Sequence, residues 1–354
     1  MAKLWVWVDF ENTPHVLFLS PIIEHLVDRH YDVRITARRQ AQTVELARKQ
    51  GFEVLAIGSG DFQGLGPKMF GAVGRAAQLT ALLISKGRPR ALVSCSRAAS
   101  LAAWSLRVPV VTLLDYEHAE QRTLALASTV MWFPDVLRDV RLPSSTRRVA
   151  RFYEGLKENL YLDRWPLDRQ AARRELRLNE GDFLVVARPP ADTAHYARGV
   201  GLDLWLRTVR GLASRSRVRV VIVPRSQRQR ARLEPLLKPV NGTVEFLASV
   251  ATGPRLIGAS DLVLGGGGTM NREAAVLGVP AWSTFTGPTP MIDQRLSEEG
   301  RLRWVRTDAE LQRALEDPLP AIQPRRGPYP QGLAAIVADL DQRLASRARG
   351  IPTR

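Results

Sequence analysis

One cysteine among 354 residues, Cys95, leaves no partner within the chain for a disulfide. Its setting, the apolar run "ALVSCS", reads as a buried and inert thiol rather than a nucleophile. No apolar run approaches the ~18 residues of a membrane span. The opening "MAKLWVWVDF" is closed by Asp9 too soon for a secretory leader, so the expectation is a cytoplasmic protein. No His/Cys cluster has metal-ligand spacing, and the only Asp-x-Asp match, Asp339–Leu340–Asp341, falls in a helical pattern where solvated charge is the better reading. The chemistry is therefore expected to need no metal and no cofactor. Acidic residues are also scarce: 35 Asp and Glu stand against 51 Lys and Arg, a formal charge of +16. Such a surplus suits nucleic acid, an anionic membrane or anionic substrates. The cations are scattered through helices such as "DRQAARRELRL", no zinc-finger, RNA-recognition or homeodomain pattern is present, and nucleic acid is set aside. Most of the charge is then expected to be a solvated, Arg-rich surface.

What the chain has in quantity is hydrophobic material, 45% of its residues with eight Trp, enough to bury a large core over two domains. Strand and helix patterns alternate twice. In the first half the strands are expected at 4–9, 32–36, 53–57, 91–94, 109–114 and 129–133, with helices such as 19–29 and 68–86 between them. The break "VRLPSSTRRVARFYEG" follows. A second series of strands is expected at 183–187, 217–223, 244–247, 261–264, 279–283 and 303–305. Strands separated by helices specify parallel sheets covered on both faces. The expected fold is α/β, two doubly wound Rossmann-like domains facing across a cleft: 1–150, 151–330, and a C-terminal helix in 331–354 crossing back to the first domain.

Ligands of such sheets bind at the C-terminal ends of strands. One of those ends reads "LVLGGGGTMNREAAVLGVPAWS", four glycines between an apolar run and a helix. Glycines before a helix expose first-turn N–H groups, which with the helix dipole form an anion site. A strand-to-helix corner with no ligand would read the same way. The Lys of a Walker loop is missing, because Thr269 and Met270 follow the last glycine; Met270 also stands where a dinucleotide fingerprint needs a small residue. Thr269 is the expected helix cap, with Asn271, Arg272 and Glu273 in the first turn. Arg188 in "VVARPP" and Arg225 in "VIVPRSQ" occupy equivalent strand ends, and two arginines with a helix N-terminus suit a diphosphate.

In the first domain the loop "DFENTPHV" brings Asp9, Glu11, Asn12 and His15 to a strand end, the ionisable groups that an acid–base step uses. A second loop, "LLDYEHAEQ", offers Asp115, Glu117 and His118, and the two clusters are expected to face each other.

The stretch "GGGGTMNREAAVLGVPAWSTFTGPTPMIDQRLSEEG" resembles the nucleotide-sugar site of GT-B glycosyltransferases and of the non-hydrolysing UDP-N-acetylglucosamine 2-epimerase. The layout of "GPKMFGAVGRAAQLTALLISKGRPRALVS" with "LLDYEHAEQRTLALASTVMWFP" is similar to that of the glycosyltransferase that completes lipid II. Through "WVDFENTPHVLFLSPIIEHL", "ITARRQAQTVEL", "YEGLKENLYL" and "GGGGTMNREAAVLG", the chain as a whole is most similar to a prokaryotic DUF family, numbered 354, itself taken to be GT-B-like.

The resemblance implies a glycosyltransferase that moves a sugar from a nucleoside diphosphate donor, a UDP-sugar by preference, to a cell-surface or lipid-linked glycan. A nucleotide-sugar 2-epimerase and a non-catalytic nucleotide-sugar binder are the alternatives. On that reading Gly266, Gly267, Gly268 and Thr269 hold the diphosphate on backbone N–H groups beside Asn271, Arg188 and Arg225 neutralise it, and Glu273 binds the ribose hydroxyls. His15 or Asp9 is the acid–base group, and Glu117 or His118 positions the acceptor. The segment "GDFQGLGPKMFG" is the expected acceptor element, with peripheral contact to an anionic membrane surface. Two departures stand out. "ENTPH" replaces the "GGxGGH" loop of the lipid II enzyme, and Arg272–Glu273 stands where the epimerase has two acidic residues.

Overall fold

The computed structural model describes residues 5–39, 41–58, 65–165, 168–190, 200–237, 243–247 and 253–348. The chain forms two compact units, Met1–Asp163 with Tyr329–Arg354, and Arg164–Pro328.

The first unit holds seven strands: β1 (Trp5–Phe10), β2 (Asp32–Arg38), β3 (Val54–Ile57), β4 (Leu92–Ser94), β5 (Val110–Leu113), β6 (Val130–Pro134) and β7 (Ala150–Tyr153). They pair in the order β3-β2-β1-β4-β5-β6-β7, all parallel. β1 is buried along its whole length, as a parallel strand covered by helices on both faces must be. The helices are α1 (Thr13–Asp28), α2 (Ala41–Lys49), α3 (Leu65–Lys86), α4 (Arg97–Ser105), α5 (Arg122–Ala127), α6 (Ser144–Val149) and α7 (Lys157–Leu162). α1 starts at Thr13, six residues before the expected 19, because Pro14 sits in its first turn, where a missing N–H costs nothing. α3 is already helical at Leu65, so part of the expected acceptor loop is helix, and its residues 60–64 lie outside the described residues. Trp5 and Trp7 pack with Leu79 and Leu83 of α3 and with Ala98, Ala99, Ala102 and Ala103, whose small side chains let α4 sit close.

β7 lies inside the stretch read from sequence as a break. Four residues next to Pro, Ser and Arg carry too little periodicity to announce a strand, yet Phe133↔Phe152 and Pro134↔Tyr153 put it in register with β6.

The second unit contains β8 (Phe183–Arg188), β9 (Val218–Ile222), β10 (Val244–Phe246), β11 (Leu262–Gly265), β12 (Ala281–Ser283) and β13 (Leu302–Trp304), ordered β10-β9-β8-β11-β12-β13 and parallel. Its helices are α8 (Arg169–Glu175), α9 (Val200–Ala213), α10 (Gln227–Leu237), α11 (Gly253–Ala259), α12 (Thr269–Leu277), α13 (Met291–Glu298) and α14 (Asp308–Glu316). Trp205, Val209 and Leu212 of α9 close one face of the sheet over Val185, Val220 and Leu264. Part of the Arg surplus is structural here rather than solvated. Arg169 and Arg173 of α8 both grip Asp261, at 2.5 and 2.8 Å, and donate to the carbonyls of Gly258, Ala259 and Ser260.

The last helix, α15 (Pro330–Ala348), belongs to the first unit. Ile336, Leu340 and Leu344, four residues apart, form its buried stripe. Asp341 accepts from His25 and Arg29, each at 3.0 Å, and Asp339 pairs with Arg343. Among the described residues no helix is long and apolar enough to cross a membrane.

Candidate functional site

Each sheet reverses its winding once, between β1 and β4 in the first unit and between β8 and β11 in the second. Such a reversal sends the following loops in opposite directions and leaves a crevice at the strand ends. The candidate residues gather at these two places.

In the second unit Arg188 ends β8 opposite Gly265, and its carbonyl accepts from Gly266 N at 3.2 Å. Three of the four glycines serve packing. A side chain on Gly265 would run into Asn271, on Gly266 into the Pro190 backbone, and on Gly267 into Phe285. Gly268 differs. It has φ +93° and ψ −158°, is exposed, and meets nothing within 4 Å of an added Cβ. It is the N-cap of α12, which corrects the expectation for Thr269; Thr269 is the first helical residue, and no side chain caps the helix. The space beside Gly268, at the N-terminus of α12 and at the switch point, is therefore open, the place where an anion would meet that helix end.

Arg188 makes no side-chain hydrogen bond or ion pair with any described residue. Burial and the nearby Arg225 pull its pKa down to about 9, while Glu273 acts the other way. It remains charged at neutral pH without a counter-ion of its own. Arg225 donates from Nε to the Pro189 carbonyl at 3.1 Å, and its backbone N–H donates to Gln229 Oε1 at 2.8 Å; Gln229 Nε2 in turn holds the Pro190 carbonyl. Glu273 and Asn271 are buried on α12, and neither amide atom of Asn271 has a partner among the described residues. Arg272 is absorbed structurally, donating to Asp293 Oδ1 at 2.7 Å with both groups buried.

In the first unit Asp9 is fully buried and its carboxylate takes three hydrogen bonds. Arg75 reaches it twice, at 2.6 and 3.0 Å, and Thr36 donates to it at 2.5 Å, itself accepting from Trp7 Nε1. A carboxylate so held ties the end of β1 to β2 and to α3. Arg75 goes on to Ser96 Oγ at 3.1 Å and the Ile57 carbonyl at 3.1 Å. Gly58, at φ +92°, is required by this path, since a Cβ there would sit 2.8 Å from Arg75 Cδ.

His15 Nδ1 accepts from the Glu11 backbone N–H at 3.3 Å, which leaves the ring proton on Nε2. Burial, with the Lys157 ammonium beside it, drives His15 down to about 4. It is a neutral hydrogen-bond donor at pH 7. Asp115 acts on both His15 and Cys95, so the loops after β1, β4 and β5 do converge. Glu117 and His118 lie further along the third loop, 3.8 Å apart, with the Glu117 side chain buried and the His118 ring edge-on to Tyr116. Burial pushes the Cys95 thiol upward, so it stays protonated.

Sequence reasoning missed Arg75 and Lys157. Arg75 shares the buried stripe of α3 with Leu79 and Leu83, and a cation at i of an i, i+4, i+8 apolar series is the signal that marks it. Lys157 opens α7, a helix buried at every position, and lies 2.6 Å from Asp115 and 3.6 Å from Glu158.

The chain belongs to the family described as "Protein of unknown function (DUF354)", whose model matches residues 4–316. An uncharacterised protein of Methanocaldococcus jannaschii is 27% identical over 330 residues, 90% of this chain and 93% of that one. The fold is that of GT-B-like UDP-GlcNAc 2-epimerases. The Neisseria meningitidis enzyme bound to UDP-GlcNAc aligns over 97% of this chain and all of its own with a TM-score of 0.74 at 16% identity. The M. jannaschii enzyme in complex with UDP-GlcNAc and UDP covers 96% and 100% with a TM-score of 0.72, also at 16% identity. Anabaena HepE in complex with UDP-glucose covers 98% and 100% with a TM-score of 0.58 at 15% identity.

Proposed function

We propose that this DUF354 chain is a nucleotide-sugar-dependent glycosyltransferase, in which the second unit binds the nucleoside diphosphate of the donor, a UDP-sugar by preference. The observation that carries this reading is Arg188, a partly buried cation with no side-chain partner among the described residues, standing beside the open N-terminus of α12. A diphosphate supplies the two charges that Arg188, Arg225 and the first-turn amides of Gly268 and Thr269 would neutralise. The same groups would stabilise the diphosphate as it leaves, an electrostatic role that needs no metal. Glu273 would take the ribose hydroxyls. His15, neutral with its proton on Nε2, would donate a hydrogen bond to the acceptor, with Glu117 and His118 as further acceptor contacts. The acceptor is a glycan or lipid-linked glycan, and a chain of charge +16 suits peripheral contact with an anionic membrane surface.

A second reading, 2-epimerisation of the nucleotide sugar, is favoured by the fold shared with UDP-GlcNAc 2-epimerases. Arg272 speaks against it, because a cation committed to Asp293 stands where the resemblance to the epimerase calls for an acid.

Thermal-shift measurements with a panel of nucleoside diphosphates, followed by product analysis in D2O, test both. Stabilisation by UDP with slow UDP release supports transfer. Deuterium at C2 of an otherwise intact sugar nucleotide supports epimerisation. Binding with neither product would reduce the chain to a nucleotide-sugar binder. No stabilisation by any diphosphate would reject the whole reading.

A further inference from the structure

The helices on the two faces of the first sheet differ in charge. Right-handed crossovers put α1 and α2 on one face and α3, α4, α5 and α6 on the other, where α3 packs on α4, α4 on α5 and α5 on α6. α1 and α2 carry Glu24, Asp28 and Glu45. The helices of the second face contain no Asp or Glu, and none occurs anywhere from residue 62 to residue 114, a run that holds seven Lys and Arg. Helix stability does not ask for this, since acids in a first turn are favourable.

The same layer leaves apolar side chains in water. α3 is apolar on both sides: Leu79 and Leu83 are buried, while Val73 and Ile84 are 63% and 70% exposed. Trp104 of α4 is 57% exposed and Leu126 of α5 74%. Each of these helices runs back against the strands. Ile84, Trp104 and Leu126, all in last turns, therefore come to the edge of the sheet where the strands begin, away from the candidate residues at the strand ends. Lys86 and Arg88 stand exposed at that edge with no acidic partner among the described residues, and the connections "GRPRA" and "LRVP" there hold cations and no acid.

We propose that this face of the first unit docks on an anionic lipid bilayer, with Ile84, Trp104 and Leu126 entering the headgroup layer and Lys86 and Arg88 meeting lipid phosphates. It gives the membrane contact proposed above a place on the protein, and it needs nothing of the transferase chemistry. Charge and apolarity together select the occupant. A second copy meeting the face symmetrically would set cations against cations, and a nucleic acid backbone would leave Ile84 and Leu126 without an apolar partner. An anionic bilayer takes both, with phosphates at its surface, hydrocarbon beneath and Trp suited to the boundary.

The test sediments the full chain with vesicles of phosphatidylcholine alone and of phosphatidylcholine with an equal part of phosphatidylglycerol. Wild type should pellet with the anionic vesicles only, and should be released as salt rises. Ile84→Ser with Leu126→Ser, and separately Lys86→Gln with Arg88→Gln, should each weaken binding about tenfold or more, while Arg48→Gln with Lys49→Gln, the same charge removed from α2, should stay within about twofold. Unchanged melting points show these surface variants folded. Trp emission should shift to the blue on anionic vesicles, and Trp104→Phe should remove the shift while keeping most of the binding. Equal losses in the α2 control overturn the surface in favour of unlocalised net charge, and a wild type that ignores anionic vesicles overturns it outright. A wild-type dimer that Ile84→Ser with Leu126→Ser turns into monomer also overturns it, by making a second copy the occupant. A wild type that docks as expected yet shows no UDP-induced thermal shift keeps the surface and rejects only the nucleotide-sugar reading.

Discussion

Arg75 holds Asp9 with two hydrogen bonds in a pocket where the side chains are 3% and 0% exposed. The pair joins α3 to the end of β1 and, through Ser96, to the start of α4. Taking away one partner strands a buried charge, a loss of about 3–5 kcal/mol. Arg75→Met should lower the urea midpoint of the first unit accordingly, and Arg75→Met with Asp9→Leu should recover much of it. A double variant no better than the single would mean that the charge is not what the pair contributes.

Protonation of His15 gives the first unit an acid limit. Its folded pKa is depressed from 6.5 to about 4, so the stabilisation is complete above pH 6.5 and is lost as pH falls from there to about 4. A shift of this size is worth up to about 3 kcal/mol. Urea midpoints from pH 7 to pH 4 should fall more steeply in wild type than in His15→Asn, and NMR titration of the ring should give the low value directly.

Arg188 is costly in the empty protein, because burial and Arg225 both disfavour its charge. Arg188→Met should therefore melt no lower than wild type without ligand, yet bind UDP at least about tenfold more weakly, ~1.4 kcal/mol. A fall in the unliganded melting point with UDP binding retained would mark Arg188 as structural.

The glycine corner separates packing from binding. Gly266→Ala drives a methyl into the Pro190 backbone and should destabilise the second unit. Gly268→Ala meets open space and carries only the backbone strain of φ +93°, about 1–3 kcal/mol. Its methyl stands at the open end of α12, so it should weaken UDP binding beyond its effect on stability. Calorimetric melting and UDP titration of the two variants check the contrast.

How much of this was legible beforehand varies by element. The strands at the ends of which Arg188, Gly265 and Asp9 stand were readable as short apolar runs, since strands buried on both faces advertise themselves by composition. β7 was not, because a four-residue edge strand beside Pro and Arg carries no period. The glycine run was readable as a place of close approach. Which glycine faces open space was not, because that depends on Pro190, Phe285 and Asn271 arriving from elsewhere in the chain.

Local pattern, set by residue type and neighbours a few positions away, was enough to establish two parallel α/β sheets and the loops that carry Asp9, Glu11, His15, Arg188 and the glycines. Tertiary structure alone decided what those groups can do. Asp9, for example, is held by a partner 66 residues away, Arg75. A proton's affinity is governed by surrounding dielectric and charge, which come into being only when distant segments pack together.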